Sequence, residues 1–289
     1  MSEYVQLLVN AGTNAAIYSL VAFSLVLVYR GSGVVNFGVG YLAVFAGILF
    51  ANSGFGGWGA LVAALVAGAG LGVLGYLGAV WVGERMGAPH AALAMATLGF
   101  GLVLEYFAGV FWAKEGFTGP TLWAGSTTVA GVSISHQRVL TVLLAVACFG
   151  LVLVLLERTM AGWALEAVAW RRDTAAAYGV NTGVALVVVW ALAGLVAALG
   201  GSLLSSVSAI SRPVALPLAV MGFAAAVVGG LGSVGGAVVG AVVVAGTEAL
   251  FIQYVSTSYS GAFAFLLLFV VLAVRPQGIV GQRRQLSRT

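Results

Sequence analysis

Two carboxylates, Glu105 and Glu248, sit inside long apolar runs of this chain. A charge at membrane depth costs roughly 2.5–3.5 kcal/mol on insertion scales, so it faces a bundle interior or cavity and takes a partner. Either acid could relay a proton, and either could be a buried, protonated structural group. Asn10, Asn14 and Tyr18 recur at four-residue spacing, which places them on one helical face. They could line a polar path or hydrogen-bond a neighbouring helix. The third concentration of polar chemistry is EAVAWRRDTAAAYG, residues 166–179, which holds Glu166, Arg171, Arg172 and Asp173. Its alanines favour helix, and Tyr178-Gly179 offers an aromatic contact followed by a C-terminal cap. The stretch is too charged to span a bilayer. It reads as a solvated connector or as an exposed helix that docks onto a partner, with Trp170 and Tyr178 as anchors and Arg171 and Arg172 as polar rim.

Other chemistries find no support. Three segments match G-x-G-x-x-G, at 54–59, 70–75 and 230–235. None has the preceding strand and following amphipathic helix that a dinucleotide fold needs. There is no Walker A motif and no Cys/His metal spacing, so no cofactor or metal is expected. His90 and His136 fall near the ends of apolar segments and read as interfacial side chains. The single cysteine, Cys148, excludes an intrachain disulfide. The net charge of +4 comes from few basic residues scattered among loops. That distribution suits membrane topology rather than nucleic acid.

These groups need elements to hold them, and composition names the class. The chain is 62% hydrophobic and 7% charged, with a mean hydropathy of +1.11, so it reads as an integral membrane protein. A bilayer core needs about 20 apolar residues per helix. Nine apolar segments occur, at about 5–29, 36–52, 58–82, 91–113, 138–157, 183–205, 217–231, 235–254 and 261–275. The expected fold is an all-α polytopic membrane bundle of eight or nine spans, forming a single domain over 1–289. The first segment has no basic residue before Arg30, so it lacks the n-region of a cleaved signal and is expected to be retained. The second and seventh segments are short. Gly31, Gly33, Gly38 and Gly40 surround Asn36 in one, and Pro213 and Pro217 open the other. Both read as broken or re-entrant helices, which are tolerated where protein or a cavity covers the backbone. Gly68/Gly72 and Gly236/Gly240 have the spacing of close helix–helix seams.

Nine spans put the termini on opposite sides. With the C-terminus in the cytoplasm, Arg30, Arg85, Arg158, Arg171, Arg172, Arg275, Arg283, Arg284 and Arg288 face inward and Lys114, Arg138 and Arg212 outward, the bias expected of loops. The N-terminus is then outside, 158–182 is a cytoplasmic segment, and 114–137 is an external capping loop. GFGGWGALV (54–62) resembles GLGSVGGAV (230–238). Segments one to four would then match six to nine, with the fifth as connector, in an inverted repeat.

The chain also resembles the permease subunits of bacterial branched-chain amino acid ABC importers of the LivH type. The resemblance rests on LLVNAGTNAAIYSLVAFSLVLVYRGSGVVNF (7–37), MATLGF (95–100), EAVAWRRDTAAAYGVN (166–181), GFAAAVVGGLGSVGGAVVGAVVVAGTEAL (222–250) and AFLLLFVVLAVRPQGIVG (264–281). It implies that 166–179 is the coupling loop that docks on an ATPase subunit, through Glu166, Trp170, Arg171, Arg172, Asp173, Tyr178 and Gly179. It implies two ATPase subunits, a homologous second permease and an extracytoplasmic solute-binding protein as partners, in a bacterial inner membrane. Asn10, Asn14, Tyr18, Asn36, Thr97, Glu105 and Glu248 are the path candidates. Relatives commonly follow Asn36-Phe37 with Gln or His and then an acid, whereas here Gly38-Val39-Gly40-Tyr41 follows. That leaves the solute open among branched-chain or related amino acids, urea or short amides, and small organic acids. The competing reading is a stand-alone proton-coupled transporter working through Glu105 or Glu248.

Overall fold

The computed structural model describes residues 2–112, 116–129, 132–255, 260–274 and 278–280. Its helices are α1 (Ser2–Ser32), α2 (Val39–Asn52), α3 (Gly57–Gly75), α4 (Val82–Arg85), α5 (His90–Phe111), α6 (His136–Arg158), α7 (Met160–Trp170), α8 (Arg172–Ala177), α9 (Thr182–Val207), α10 (Ala215–Gly229), α11 (Val234–Tyr254) and α12 (Ser260–Val274). A π-helical stretch, Tyr76–Trp81, joins α3 to α4, so that Gly57–Arg85 forms one long apolar rod. Seven helical stretches among the described residues are long and apolar enough to cross a bilayer, and α2 is a shorter apolar helix. The molecule is a polytopic helical bundle.

Burial separates centre from periphery. The most apolar window of α1 is 72% buried within the chain, against 28% for α6. The central helices are α1 and α9, which pack on each other. Around them, the principal packing pairs repeat. Exchanging α1 with α9, α2 with α10, α3 with α11 and α5 with α12 turns α3–α9 into α11–α1 and α2–α9 into α10–α1. It also turns α2–α3 into α10–α11 and α2–α5 into α10–α12. This is the pairing expected of the repeat, with α6 as the connector between its halves.

Small residues set these approaches, because lipid supplies no hydrophobic drive between helices and backbone contact must replace it. Side chains added at Gly68 and Gly72 of α3 would run into Gly194 and Trp190 backbone of α9. Gly240 of α11 meets the Ala225 carbonyl of α10, and Gly236 meets Gly229. Both glycine pairs read from the sequence as seams are therefore seams.

The structure departs from the sequence reading in three places. The seventh apolar segment is not short: a 3-10 turn, Arg212–Val214, runs into α10, and Arg212–Gly229 is long enough to span. Pro217 sits in the first turn of α10, where no backbone N–H is required, so it opens the helix without breaking it. The segment 114–137 contains a hairpin, Ser126–Val129 paired antiparallel with Val132–Ser135, and α6 already begins at His136. The charged stretch is two helices rather than one, divided at Arg171. The second segment is broken as expected, with α2 beginning only after Gly38. Lys114, Arg275, Arg283, Arg284 and Arg288, used for orientation, lie outside the described residues.

Candidate functional site

Two short helices occupy one end of the bundle between α6 and α9. Thr159 caps α7 by accepting a hydrogen bond from the Gly162 N–H at 3.0 Å. Arg171 then takes an extended conformation, φ −152° and ψ 109°, which ends α7 and starts α8. Tyr178 and Gly179 close α8. Gly179 has φ +83°, and its N–H and that of Val180 return to the carbonyls of Ala176 and Ala175. This is the glycine-capped ending foreseen at that position. Asn181 caps the start of α9 by accepting from the Val184 N–H at 3.1 Å.

The two helices have one buried face and one free face. Leu165, Val168 and Ala175 are buried against the bundle. Glu166, Trp170, Arg171, Asp173, Tyr178 and Gly179 are exposed, with Trp170 at 81% and Tyr178 at 85%. Trp170 and Tyr178 thus present two large aromatic surfaces outward from a charged, non-spanning segment. Arg172 differs from its neighbours. Its guanidinium turns inward, donating from Nη1 to Glu84 Oε1 of α4 and from Nη2 to the Ser32 carbonyl of α1, both at 2.8 Å. Glu166 also reaches back, with 3.6 Å to Arg30. Ser32 and Glu84 were not singled out in the sequence, and Arg30 was named there only for orientation. Nothing local marks them, since their partner lies more than eighty positions away in each case.

The chain break between α1 and α2 lies directly beyond Ser32. Asn36 is buried, and its Oδ1 accepts from the Gly38 N–H at 3.0 Å. Thr97 of α5, also buried, accepts from the Phe37 N–H at 3.0 Å and donates to the Ala94 carbonyl at 2.6 Å. Side chains and cap thus satisfy backbone groups that no helix satisfies, the condition for irregular backbone at membrane depth. Gly38 is required here, because a Cβ would run into the Thr97 carbonyl. Asn36 and Thr97 line one small cavity with Ser24, Phe100 and Trp190.

The remaining path candidates fall elsewhere. On α1, Asn10 is exposed and accepts from Arg138 of α6, Asn14 is half-buried, and Tyr18 donates to Glu248 Oε2 of α11 at 2.9 Å. This polar row therefore ties α1 to its neighbours at two of its three positions. Glu248 is buried and meets Tyr18 across the α1–α11 contact. Glu105 is half-buried and lines a second cavity with Tyr41, Phe45 and Arg212. The seven residues consequently occupy three separate places: the α1 row with Glu248, the break with Thr97, and the cavity at Glu105. Among the described residues no three His, Cys, Asp or Glu side chains gather as metal ligands.

The Tyr18–Glu248 contact carries a prediction. Tyr18→Phe removes the donor and leaves a buried acid short of a partner, so the detergent-solubilised chain should lose about 1–2 kcal/mol of stability. Glu248→Gln, whose carbonyl still accepts from Tyr18, should lose less. Thermal unfolding of the two variants beside the wild type reads the difference.

Comparison with known proteins gives a consistent match. Residues 7–272 match the family model described as branched-chain amino acid transport system / permease component. The high-affinity branched-chain amino acid transport system permease protein LivH of Escherichia coli (strain K12) is 27% identical, covering 96% of each chain. LivH of Salmonella typhimurium is 26% identical over 96% of each. BraD, the corresponding permease protein of Pseudomonas aeruginosa, is 27% identical over 97% of this chain and 96% of its own. No solved structure matches the chain.

Proposed function

From the premise that this chain belongs to the branched-chain amino acid transport permease family, we propose that it forms half of the translocation path of an ATP-binding cassette importer for branched-chain or related hydrophobic amino acids. The observation that carries this reading is the pair of short helices at 160–177, rooted in two long helices and presenting Trp170 and Tyr178 outward. A permease without a nucleotide site of its own needs a stiff lever on which an ATPase can push. These helices supply one, with Glu166, Arg171, Asp173 and Gly179 around the two anchors. Two ATPase subunits dock at this end, which is cytoplasmic, and a second, homologous permease completes the path.

The opposite end carries the hairpin and the start of α6, with Gln137 accepting from the N–H groups of Leu122 and Trp123. This outer end, the side of the N-terminus, receives a solute-binding protein that holds most of the affinity. The path itself needs only weak contacts, from Asn36 and Thr97 at the break, from Glu105 at the second cavity, and from Asn10, Asn14, Tyr18 and Glu248 along α1 and α11. Such a site lets solute leave as easily as it arrives.

Uptake into proteoliposomes separates this from a proton-coupled carrier. The complex purified with its ATPases and binding protein should take up leucine, isoleucine or valine only with ATP present on the ATPase side, and a protonophore should not lower the rate. Uptake by the isolated chain, abolished by the protonophore, would instead assign the work to Glu248 or Glu105.

A further inference from the structure

Arg172 is the one residue of the 166–179 stretch whose side chain makes hydrogen bonds to two other elements of the bundle among the described residues. Its two partners do different jobs. Glu84 supplies charge, with the pair partly shielded: the side chains are 35% and 27% exposed. The Ser32 carbonyl is an end-of-helix acceptor on the last residue of α1. Terminal carbonyls have no helical donor, and the partial negative charge at a helix C-terminus favours a cation there. Arg172 therefore closes the end of α1 from another part of the chain.

What lies beyond that end is the break that walls the cavity. Ser32 Oγ donates to the Val28 carbonyl at 2.8 Å and accepts from the Val34 N–H at 3.3 Å, so the first residues of the break are held by the same serine. Gly33 turns the chain with φ +72°. Phe37 and Gly38 are then fixed by Thr97 and Asn36. From the α8 guanidinium to the cavity-lining Asn36 there thus runs a short stretch of backbone, pinned at Ser32, Val34, Phe37 and Gly38 by successive hydrogen bonds.

We propose that Arg172 is a positioning residue that transmits displacement of the 160–177 helices to the break at 33–38, so that movement of α8 drags or releases the wall of the Asn36 cavity. This rests on the reading of 160–177 as the coupling element, and it turns Arg172 from an outward contact into an inward tie rod. The two-pronged geometry is what the role requires. A planar guanidinium serves a carboxylate and a carbonyl at once, whereas a lysine ammonium is a point charge that keeps the ion pair and loses the fixed fork.

Arg172→Lys is therefore the informative variant, because it keeps the charge and the fold. Two readouts decide. In the permease alone, held in nanodiscs, hydrogen–deuterium exchange of amides in 33–38 should be about ten-fold faster in R172K than in the wild type, with α9 and α11 unchanged. In the assembled complex, leucine taken up per ATP hydrolysed should fall about five-fold or more, while ATPase subunits co-purify as before. Glu84→Gln, which leaves the Ser32 bond, should change exchange at 33–38 less than R172K does. Unchanged exchange at 33–38 in R172K overturns the proposal. Faster exchange with an unaltered uptake-to-ATP ratio overturns the transmission role. A wild-type complex that hydrolyses ATP without moving solute would sink the importer reading, and the exchange result would still decide whether Arg172 holds the break.

Discussion

Valine at position 201 should remove the folded protein from the membrane. Gly201 lies in the C-terminal part of α9, where α2 packs on it, and a Cβ there would land on the Ala43 carbonyl and carbonyl carbon. Ala43 is itself fully buried, and Gly47 faces the Gly201 carbonyl one turn along. Neither side can yield by turning a rotamer, since both are backbone. Overpacking with flexible side chains costs about 1–3 kcal/mol. Here the two helix axes must separate, so the cost sits at or above the upper end, about 3 kcal/mol or more. Gly70 in α3 is the control. Nothing lies within 4 Å of its added Cβ, and Gly70→Ala should hold or raise stability by up to about 1 kcal/mol through helix propensity. Membrane yield, monodispersity in detergent and thermal midpoint of the two variants give the comparison. A well-folded Gly201→Val protein would mean that the α2–α9 approach is looser than described.

Replacing Trp170 and Tyr178 together by alanine should leave the permease folded and strip it of ATPase. Both side chains are more than four-fifths exposed, so truncation opens no cavity and orphans no buried group. Stability should change by less than about 0.5 kcal/mol. Aromatic anchors at interfaces contribute about 2 kcal/mol or more each, so losing both weakens ATPase association by on the order of a thousand-fold. Tagged permease from cells should then recover ATPase subunits in the wild type and none in the double variant, and ATP-driven uptake should vanish with them. Retention of ATPase by the double variant would return 166–179 to the status of a solvated connector. Arg172→Lys should behave differently in the same assay, keeping the ATPases and losing the coupling. The pair of experiments therefore separates docking from transmission within one short segment.

How these groups are held was only partly legible beforehand. The nine apolar segments each correspond to a helix, because a run of apolar residues is a local property and lipid permits helices. The break at Asn36 was legible too, since glycines crowd it: Gly33 makes the left-handed turn and Gly38 the close approach to Thr97. The glycine cap at Gly179 was legible for the same reason. The seventh segment was read as short because its apolar run begins at Pro217, whereas the helical stretch begins earlier, with the 3-10 turn at Arg212–Val214. The division of 166–179 at Arg171 was missed because helix propensity runs straight through it. What divides it is the extended conformation of Arg171, φ −152° and ψ 109°, which no local signal in the sequence marks.

By itself, then, the sequence determined that the chain is a membrane bundle with a repeat, a charged non-spanning segment and a broken second segment. Only the tertiary structure decided which polar groups meet. Tyr18 finds Glu248 from 230 positions away, and Arg172 finds Ser32 from 140. The path candidates, alike in type, fell into three separate places. The physical reason is one of range. Apolar periodicity, glycine and proline act over a few residues, whereas a polar side chain in a bundle takes whichever partner the close approach of helices brings within about 3 Å.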